Sequence, residues 1–312
     1  MNARAVVFAY HNIGVRCLHV LLARDVDVAL VITHQDNPKE SIWFESVAAV
    51  AADYGLPTIT LAHPPEQELI EIIRVAQPDF LFSFYYRHML PAELLSLAPR
   101  GAFNLHGSLL PKYRGRAPTN WAVLNGETET GSTLHEMTAK PDAGAIVAQT
   151  LVPILPDDTA YQVFNKVTLS AEQTLWQALP ALLANNAPRM LNDLSLGSYF
   201  GKRKPEDGRI DWSLPAQQVY NLVRAVAPPY PGAFTDIRSE RFIVALARLM
   251  RHDRDSTIPL PIGLQVFNNM ILGVCGDGRA LAIRELRHIY QDAVNLTPVE
   301  RVIDASMFLR LI

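Results

Sequence analysis

Residues 5–34 read "AVVFAYHNIGVRCLHVLLARDVDVALVITH", and the fold turns on how this stretch is parsed. "AVVFAY" and "VDVALVITH" are short runs rich in β-branched and apolar residues, whereas "GVRCLHVLLAR" between them sets apolar residues three and four apart. A strand, a helix and a strand in that order predict a parallel pair joined by a right-handed crossover. The pattern continues outward. "DFLFSFYY" (79–86) and "GAFNLHG" (101–107) are further strand candidates, and "SIWFESVAAVAADYG" (41–55) and "EQELIEIIRVAQ" (66–77) carry helical spacing, with Gly55 where a helix should stop. Strands alternating with helices predict an α/β domain, a parallel sheet covered by helices.

"STLHEM" (132–137) and "AIVAQTLVPI" (145–154) add two strands. A long helix is expected from about Thr159 to Asn185, capped near Asp157 or Asp158, with Val163, Val167, Leu175, Leu179 and Leu182 as its core-facing stripe. Composition then breaks at "NNAPRMLNDLSLGSYFGKRKPEDG" (185–208), rich in Asn, Pro, Gly and charge without a sustained period. The expected organisation is a first domain over 1–188, a linker over 189–210 and a smaller domain over 211–312. That domain opens with the helical "SLPAQQVYNLVRAV" (213–226), where Ser213 and Pro215 suit a helix start. After "APPYPGAF", the runs "FIVALARL", "GLQVFNN", "MILGVCGDG" and "ALAIREL" read as short strands of a small barrel.

The bulk properties narrow the function classes. With 312 residues, 49% apolar and 19% charged, the chain is long enough for two domains and too apolar for disorder. Its formal net charge of −3 gives no global attraction to polyanions. Local basic clusters occur at Lys112/Arg114/Arg116, Lys202/Arg203/Lys204 and Arg248/Arg251/Arg254, and a solvated face is the commoner meaning of each. Two cysteines, Cys17 and Cys275, far apart and without CxxC spacing, argue against disulfides and a cysteine-ligated zinc. "MNARAVVFAYHN" reads as a first strand rather than a signal peptide, and no window has the roughly 18 apolar residues of a membrane helix. A cytoplasmic location, no membrane insertion and no resident metal are the expectations.

The chemistry concentrates around residues 104–116, "NLHGSLLPKYRGR". In a strand, i and i+2 share a face, so Asn104 and His106 point together near a strand end, where open α/β sheets gather their ligands. No GxGxxG, Walker loop, GxSxG or HExxH is present. Asp142, in "KPDAGAIVAQ" (140–149), is held on a turn by a proline before it and a glycine shortly after. A carboxamide can donate to a developing oxyanion, an imidazole can exchange a proton near neutral pH, and a carboxylate can orient that imidazole. Together they suit acyl transfer to an amine, with no partnered serine or cysteine nucleophile evident.

"FNLHGSLLPKYRGRAP" (103–118) followed by "DAGAIVAQ" (142–149) resembles the 10-formyltetrahydrofolate-dependent formyltransferases, over nearly the whole length of the chain. "FAYHNIG", "SFYYRHML", "NGETETG", "FGKRKPEDG" and "PGAF" resemble most the branch that formylates UDP-4-amino-4-deoxy-L-arabinose in lipid A modification and polymyxin resistance. The resemblance implies a Rossmann-like catalytic domain followed by an OB-like β-barrel domain. It makes Asn104 the oxyanion donor, His106 the proton-transfer residue and Asp142 the carboxylate that favours the charged imidazole. It further implies that 10-formyltetrahydrofolate, as formyl donor, meets backbone groups of His88, Met89 and Leu90, the segment Thr138, Ala139, Lys140, Pro141 and Asp142, and Arg116. Tyr10, Arg114, Lys202 and Arg203 are the candidates for the nucleotide sugar. Of a two-part enzyme carrying also a decarboxylase, this chain would supply the formyl-transfer half. Three alternatives stand: another nucleotide-linked amino sugar as acceptor, initiator methionyl-tRNA, and a folate binder without activity. Against tRNA stand the mildly acidic charge and the absence of a lysine- and arginine-rich insertion in "THQDNPKESIWFES" (33–46), so no nucleic-acid partner is expected. Against the inactive binder stands the presence of all three chemical residues.

Overall fold

The computed structural model describes residues 2–38, 40–61, 66–238, 240–250, 260–291 and 298–312. Two compact units are present: residues 1–119, 129–153 and 164–201 form the first, and residues 120–128, 154–163 and 202–312 the second.

The first unit follows the strand–helix alternation: β1 (Arg4–Ala9), α1 (His11–Ala23), β2 (Asp27–His34), α2 (Val47–Asp53), β3 (Thr58–Leu61), α3 (Glu66–Ala76), β4 (Phe80–Phe84), α4 (Ala92–Leu95) and β5 (Ala102–His106). Next come β6 (Arg114–Gly115), α5 (Pro118–Leu124), β7 (Glu129–Glu136), β8 (Ile146–Pro153), α6 (Ala160–Leu183) and β9 (Tyr199–Phe200). Seven strands form one sheet in the order β3-β2-β1-β4-β5-β7-β8. The first five run parallel. β7 and β8 run antiparallel to their neighbours, so the predicted parallel sheet carries an antiparallel flank. Chain order turns back between β1 and β4, which makes the carboxyl ends of those strands the switch point where such sheets bind ligands.

Burial explains the central strands. All five residues of β4, "FLFSF", are buried, as central parallel strands covered on both faces require. Phe80, Phe82 and Phe84 project to one face, with Phe82 stacked 5.7 Å from both its neighbours and 6.0 Å from Phe103 of β5. On the other face, Val6, Phe8, Ile32, Leu81, Ile70 and Ile73 form a core under α3.

Two expectations are corrected and one strand is added. The helix expected over 41–55 spans only Val47–Asp53, because the rings of Trp43 and Phe44 pack on His11 instead and Ser46 caps the helix, its hydroxyl accepting from the Ala49 N–H at 3.3 Å. β3 was not anticipated, having only four partly exposed residues at the sheet edge. The long helix is capped by Thr159, not by an aspartate: the Thr159 N–H donates to Gln162 Oε1 at 2.8 Å and the Gln162 N–H donates back to Thr159 Oγ1 at 3.3 Å. Asp158 instead accepts the Leu155 N–H at 2.7 Å. The stripe of Val163, Val167, Leu175, Leu179 and Leu182 is buried as read.

The second unit contains α7 (Ala216–Val226), β10 (Ala233–Ile237), β11 (Glu240–Leu249), β12 (Gly263–Phe267), β13 (Met270–Val274), β14 (Ala280–Gln291), β15 (Pro298–Ile303) and α8 (Ala305–Leu311). Its strands make a curled antiparallel sheet, β10-β11-β14-β13-β12, with β15 beside β14. Twelve-residue β14 pairs with β11 along one edge and with β13 and β15 end to end along the other. Register shifts around Leu246 bend β11 as a bulge does. Asn268 and Asn269, both at positive φ, turn β12 into β13, as a two-residue hairpin demands. Of the Arg248/Arg251/Arg254 cluster, Arg248 faces Asp157 at 3.7 Å, and Arg251 and Arg254 lie outside the described residues. Among the described residues no helix is long and apolar enough to cross a membrane.

Phe82 is fully buried among three phenyl rings, so Phe82→Ala should destabilise the first unit by about 3–5 kcal/mol. Guanidinium unfolding followed by near-UV dichroism measures this; a loss under about 1 kcal/mol would mean the phenyl stack does not carry the sheet.

Candidate active site

β5 and β7 lie side by side, and their antiparallel register sets Asn104 opposite His135 and His106 opposite Thr133. Asn104 and His106 share one face of β5, and His135 meets them there. The Asn104 Nδ2 lies 3.0 Å from His135 Nε2. The His135 Nδ1 is 2.7 Å from the Glu136 carbonyl, an acceptor only, so in the neutral ring Nδ1 carries the proton and Nε2 accepts from Asn104. This fixes which way the Asn104 carboxamide faces and leaves its second N–H for a ligand.

Asp142 joins from the turn between β7 and β8, at a φ of +50° that its short polar side chain tolerates. Its Oδ1 lies 3.5 Å from His106 Nδ1 and 3.6 Å from His135 Nε2, and its Oδ2 accepts the Gly115 N–H at 2.8 Å. Burial alone would raise this carboxyl's pKa; the His106 imidazole foremost, and the Gly115 amide, outweigh it and hold the group well below the usual carboxylate range. On the other side of the His106 ring, Nε2 donates to the Tyr113 carbonyl at 2.8 Å.

The loop over 107–116 is pinned by polar side chains beneath it. Thr133 Oγ1 donates to the Ser108 carbonyl (2.6 Å) and accepts from the Leu110 N–H (3.0 Å), while Gln149 Nε2 donates to the Leu110 carbonyl (2.9 Å). β6 then pairs with β9, and Gly115, at φ +97°, sits where a Cβ would lie 2.3 Å from the Phe200 carbonyl oxygen. Only glycine permits that approach. A carboxamide donor, a carboxylate-flanked imidazole and fixed backbone therefore converge at the end of β5, a set suited to stabilising an oxyanion and moving a proton.

The other residues singled out in the sequence are distributed as follows. Arg116 donates to the Arg87 carbonyl at 2.6 Å, tying the 107–116 loop to the segment that carries His88, Met89 and Leu90. The Met89 side chain is exposed and that of Leu90 lies in the core, so backbone is what Leu90 has to offer. Thr138 Oγ1 donates to the Lys140 carbonyl at 2.9 Å, closing the turn through Ala139 and Pro141 into Asp142. Tyr10, at the end of β1, is buried, donates its hydroxyl to Asp36 at 2.7 Å and lies under the Arg87 guanidinium. Arg114 lies on β6, its buried Nε without a hydrogen-bond partner among the described residues. Lys202 and Arg203 belong to the second unit, where Arg203 covers the Trp121 ring at 4.8 Å and donates to the Asp207 carbonyl.

Two residues of the site escaped the sequence reading. His135 lies in a strand that was recognised, but its pairing with Asn104 is a matter of register. Asn192, whose Nδ2 donates to the carbonyls of Asp142 (3.1 Å) and Gly144 (3.0 Å), lies in the stretch read as linker.

A formyl transferase family model matches residues 13–179, and a model of the formyl transferase C-terminal domain matches residues 202–297. The fold is similar to that of an N-formyltransferase from Helicobacter canadensis, solved with folinic acid and dTDP-3-aminofucose, at 21% identity over 91% of this chain and 99% of that chain, with a TM-score of 0.70. It is similar to WlaRD, a sugar 3N-formyl transferase solved with dTDP and 5-N-formyl-THF, at 20% identity over 90% of this chain and 97% of that chain, TM-score 0.68. It is also similar to HypX from Aquifex aeolicus in complex with tetrahydrofolic acid, at 17% identity over 99% of this chain but 47% of that longer chain, TM-score 0.64.

Two buried histidines beside the switch point make stability depend on pH. His11, enclosed by Phe44, Trp43 and Phe164, is pushed down to about 3 by burial and then by Arg87. His34, stacked on Tyr86 and accepting the Arg87 N–H at 2.9 Å, is pushed down to about 4 by burial, with His88, Arg87 and Arg116 adding to it. Below about pH 6.5 the unfolded chain takes up protons that these folded sites refuse, so stability falls as pH falls from there towards 4. Each histidine should remove up to about 1.4 kcal/mol per pH unit in that window. Denaturant unfolding at pH 6.5, 5.5 and 4.5 should show the decline, and His34→Gln should flatten it; an identical slope in the variant would contradict the assignment.

Proposed function

The chain belongs to the formyl transferase family, and from that premise we propose that it moves a formyl group from 10-formyltetrahydrofolate to the 4-amino group of UDP-4-amino-4-deoxy-L-arabinose in the cytoplasm. The observation that carries the reaction class is the convergence of Asn104, His106 and Asp142, with Asp142 3.5 Å from His106 and Asn104 held by His135. The arabinose acceptor is supported by the motifs "FAYHNIG", "SFYYRHML" and "FGKRKPEDG". The similarity to sugar N-formyltransferases solved with folates and dTDP or a dTDP-amino sugar supports a nucleotide-linked amine in general.

The residues fit such a donor. When bound, the folate supplies an activated formyl carbon; the protein supplies orientation, charge stabilisation and a place for a proton. The second N–H of Asn104 would donate to the negative charge that grows on the formyl oxygen as the amine nitrogen attacks. Before attack the amine must be unprotonated, and as the new C–N bond forms it must lose a proton. The His106 imidazole takes that proton, with the Asp142 carboxylate beside it to stabilise the resulting charge. The same imidazole returns the proton to the departing nitrogen, so the cycle closes with no net change in the enzyme.

His106→Ala and Asp142→Ala should largely abolish turnover while the variants stay folded. Asn104→Ala should lose about 3 kcal/mol of transition-state stabilisation, seen in kcat. A loss confined to folate affinity would contradict the role of Asn104, and near wild-type turnover in either of the other variants would contradict theirs. The acceptor is tested by assaying UDP-4-amino-4-deoxy-L-arabinose, dTDP-linked 3-amino sugars and initiator methionyl-tRNA side by side, following tetrahydrofolate release. The first should be turned over fastest by kcat/KM; a higher value for either other acceptor replaces the proposal.

A further inference from the structure

Asn192 lies fifty residues beyond Asp142, in a stretch whose composition suggests a connector. Its side chain is nevertheless only 6% exposed, and its one nitrogen donates to two carbonyls, those of Asp142 and Gly144. These carbonyls bracket the turn that carries the Asp142 carboxylate. The turn needs restraint: Asp142 is at a left-handed φ of +50°, and Gly144 is pressed so closely on β7 that a Cβ there would lie 2.0 Å from the Glu136 carbonyl oxygen. Asn192 Oδ1 is buried without a hydrogen-bond partner among the described residues, so the side chain serves the site through its donors.

The chain around Asn192 is itself anchored. Met190 and Ile146 exchange backbone hydrogen bonds of 2.8 and 2.9 Å. Further on, Ser198 Oγ accepts the Tyr113 N–H (2.9 Å), the Ser198 carbonyl accepts the Arg114 N–H (3.0 Å), and the Phe200 carbonyl accepts the Arg116 N–H (2.9 Å). Residues 190–200 thus grip both the Asp142 turn and the loop whose Tyr113 carbonyl receives His106 Nε2.

We infer that Asn192 is a positioning residue: its carboxamide holds the 142–144 turn so that the Asp142 carboxylate stays against His106 and the Gly115 amide. The inference rests on Asp142 acting in the reaction as proposed above. The contacts of Asn192 are with the carbonyls of Asp142 and Gly144, so it would act through the Asp142 carboxylate, and this separates it from a residue that merely stabilises the fold.

A double-mutant cycle on the full chain tests it, using 10-formyltetrahydrofolate and the acceptor turned over fastest in the panel above, with single-turnover rates for slow variants. Asn192→Ala should lower kcat about 10- to 100-fold, as loss of an outer-layer support does, with KM for both substrates changed less than about threefold. In the Asp142→Asn background the same substitution should have almost no further effect, because the carboxylate it positions is gone. Asn192→Ser, which keeps one donor, should recover part of the loss, and it carries the cycle if Asn192→Ala does not fold. Equal factors in both backgrounds, or a near wild-type Asn192→Ala beside an inactive Asp142→Asn, would overturn the inference alone. A fully active Asp142→Asn would overturn the reading of the site and this inference with it.

Discussion

One carboxylate organises the junction of β5, β7 and the 107–116 loop in the first unit. Asp142 faces two imidazoles and a backbone amide, and each partner comes from a different part of the chain: His106 from β5, His135 from β7, Gly115 from the loop between them. Taking a carboxylate out of water is unfavourable unless its oxygens are matched. That requirement couples the register of β5 with β7 to the course of the 107–116 loop. If the carboxylate moves, His106 loses its counter-charge and Gly115 its anchor together.

The sheet supplies the rest of the geometry. Its strand order brings the carboxyl ends of β1, β4 and β5 to one edge, and the phenyl rings of Phe80, Phe82, Phe84 and Phe103 hold that edge in register from below. Above it the aromatic and imidazole groups around Tyr10, His11 and His34 fill the switch point instead of leaving the glycine-lined cradle of a dinucleotide fold. The site is displaced along the sheet, to the junction between its parallel and antiparallel parts.

Much of this was legible in the sequence because it depends on short periods. Asn104 and His106 are two residues apart, and a strand's period of two puts them on one face whatever the rest of the fold does. The proline before Asp142 and the glycine after it mark a turn. What could not be read depends on distance: the pairing of His135 with Asn104 is a register, and the antiparallel sense of β7 and β8 follows from how the chain returns. Asn192 was hidden for another reason. Its neighbours are polar, proline-bounded and without a period, as a connector's are, and only the folded chain shows that two carbonyls wait for its amide. The cap of α6 was missed for a local reason, since Thr159 and Gln162 form a reciprocal pair that two adjacent aspartates obscured.

The first unit is discontinuous in sequence, and residues 164–201 are its last portion. A chain leaving the ribosome therefore presents β1 to β8 well before the segment that pairs β9 with β6 and seats Asn192. The last sheet strand and the clasp on the Asp142 turn are separated in the order of synthesis by α6. A nascent chain exposed only as far as β8 would carry the carboxamide, imidazole and carboxylate residues before α6 has covered the sheet and before the last clasp has been made.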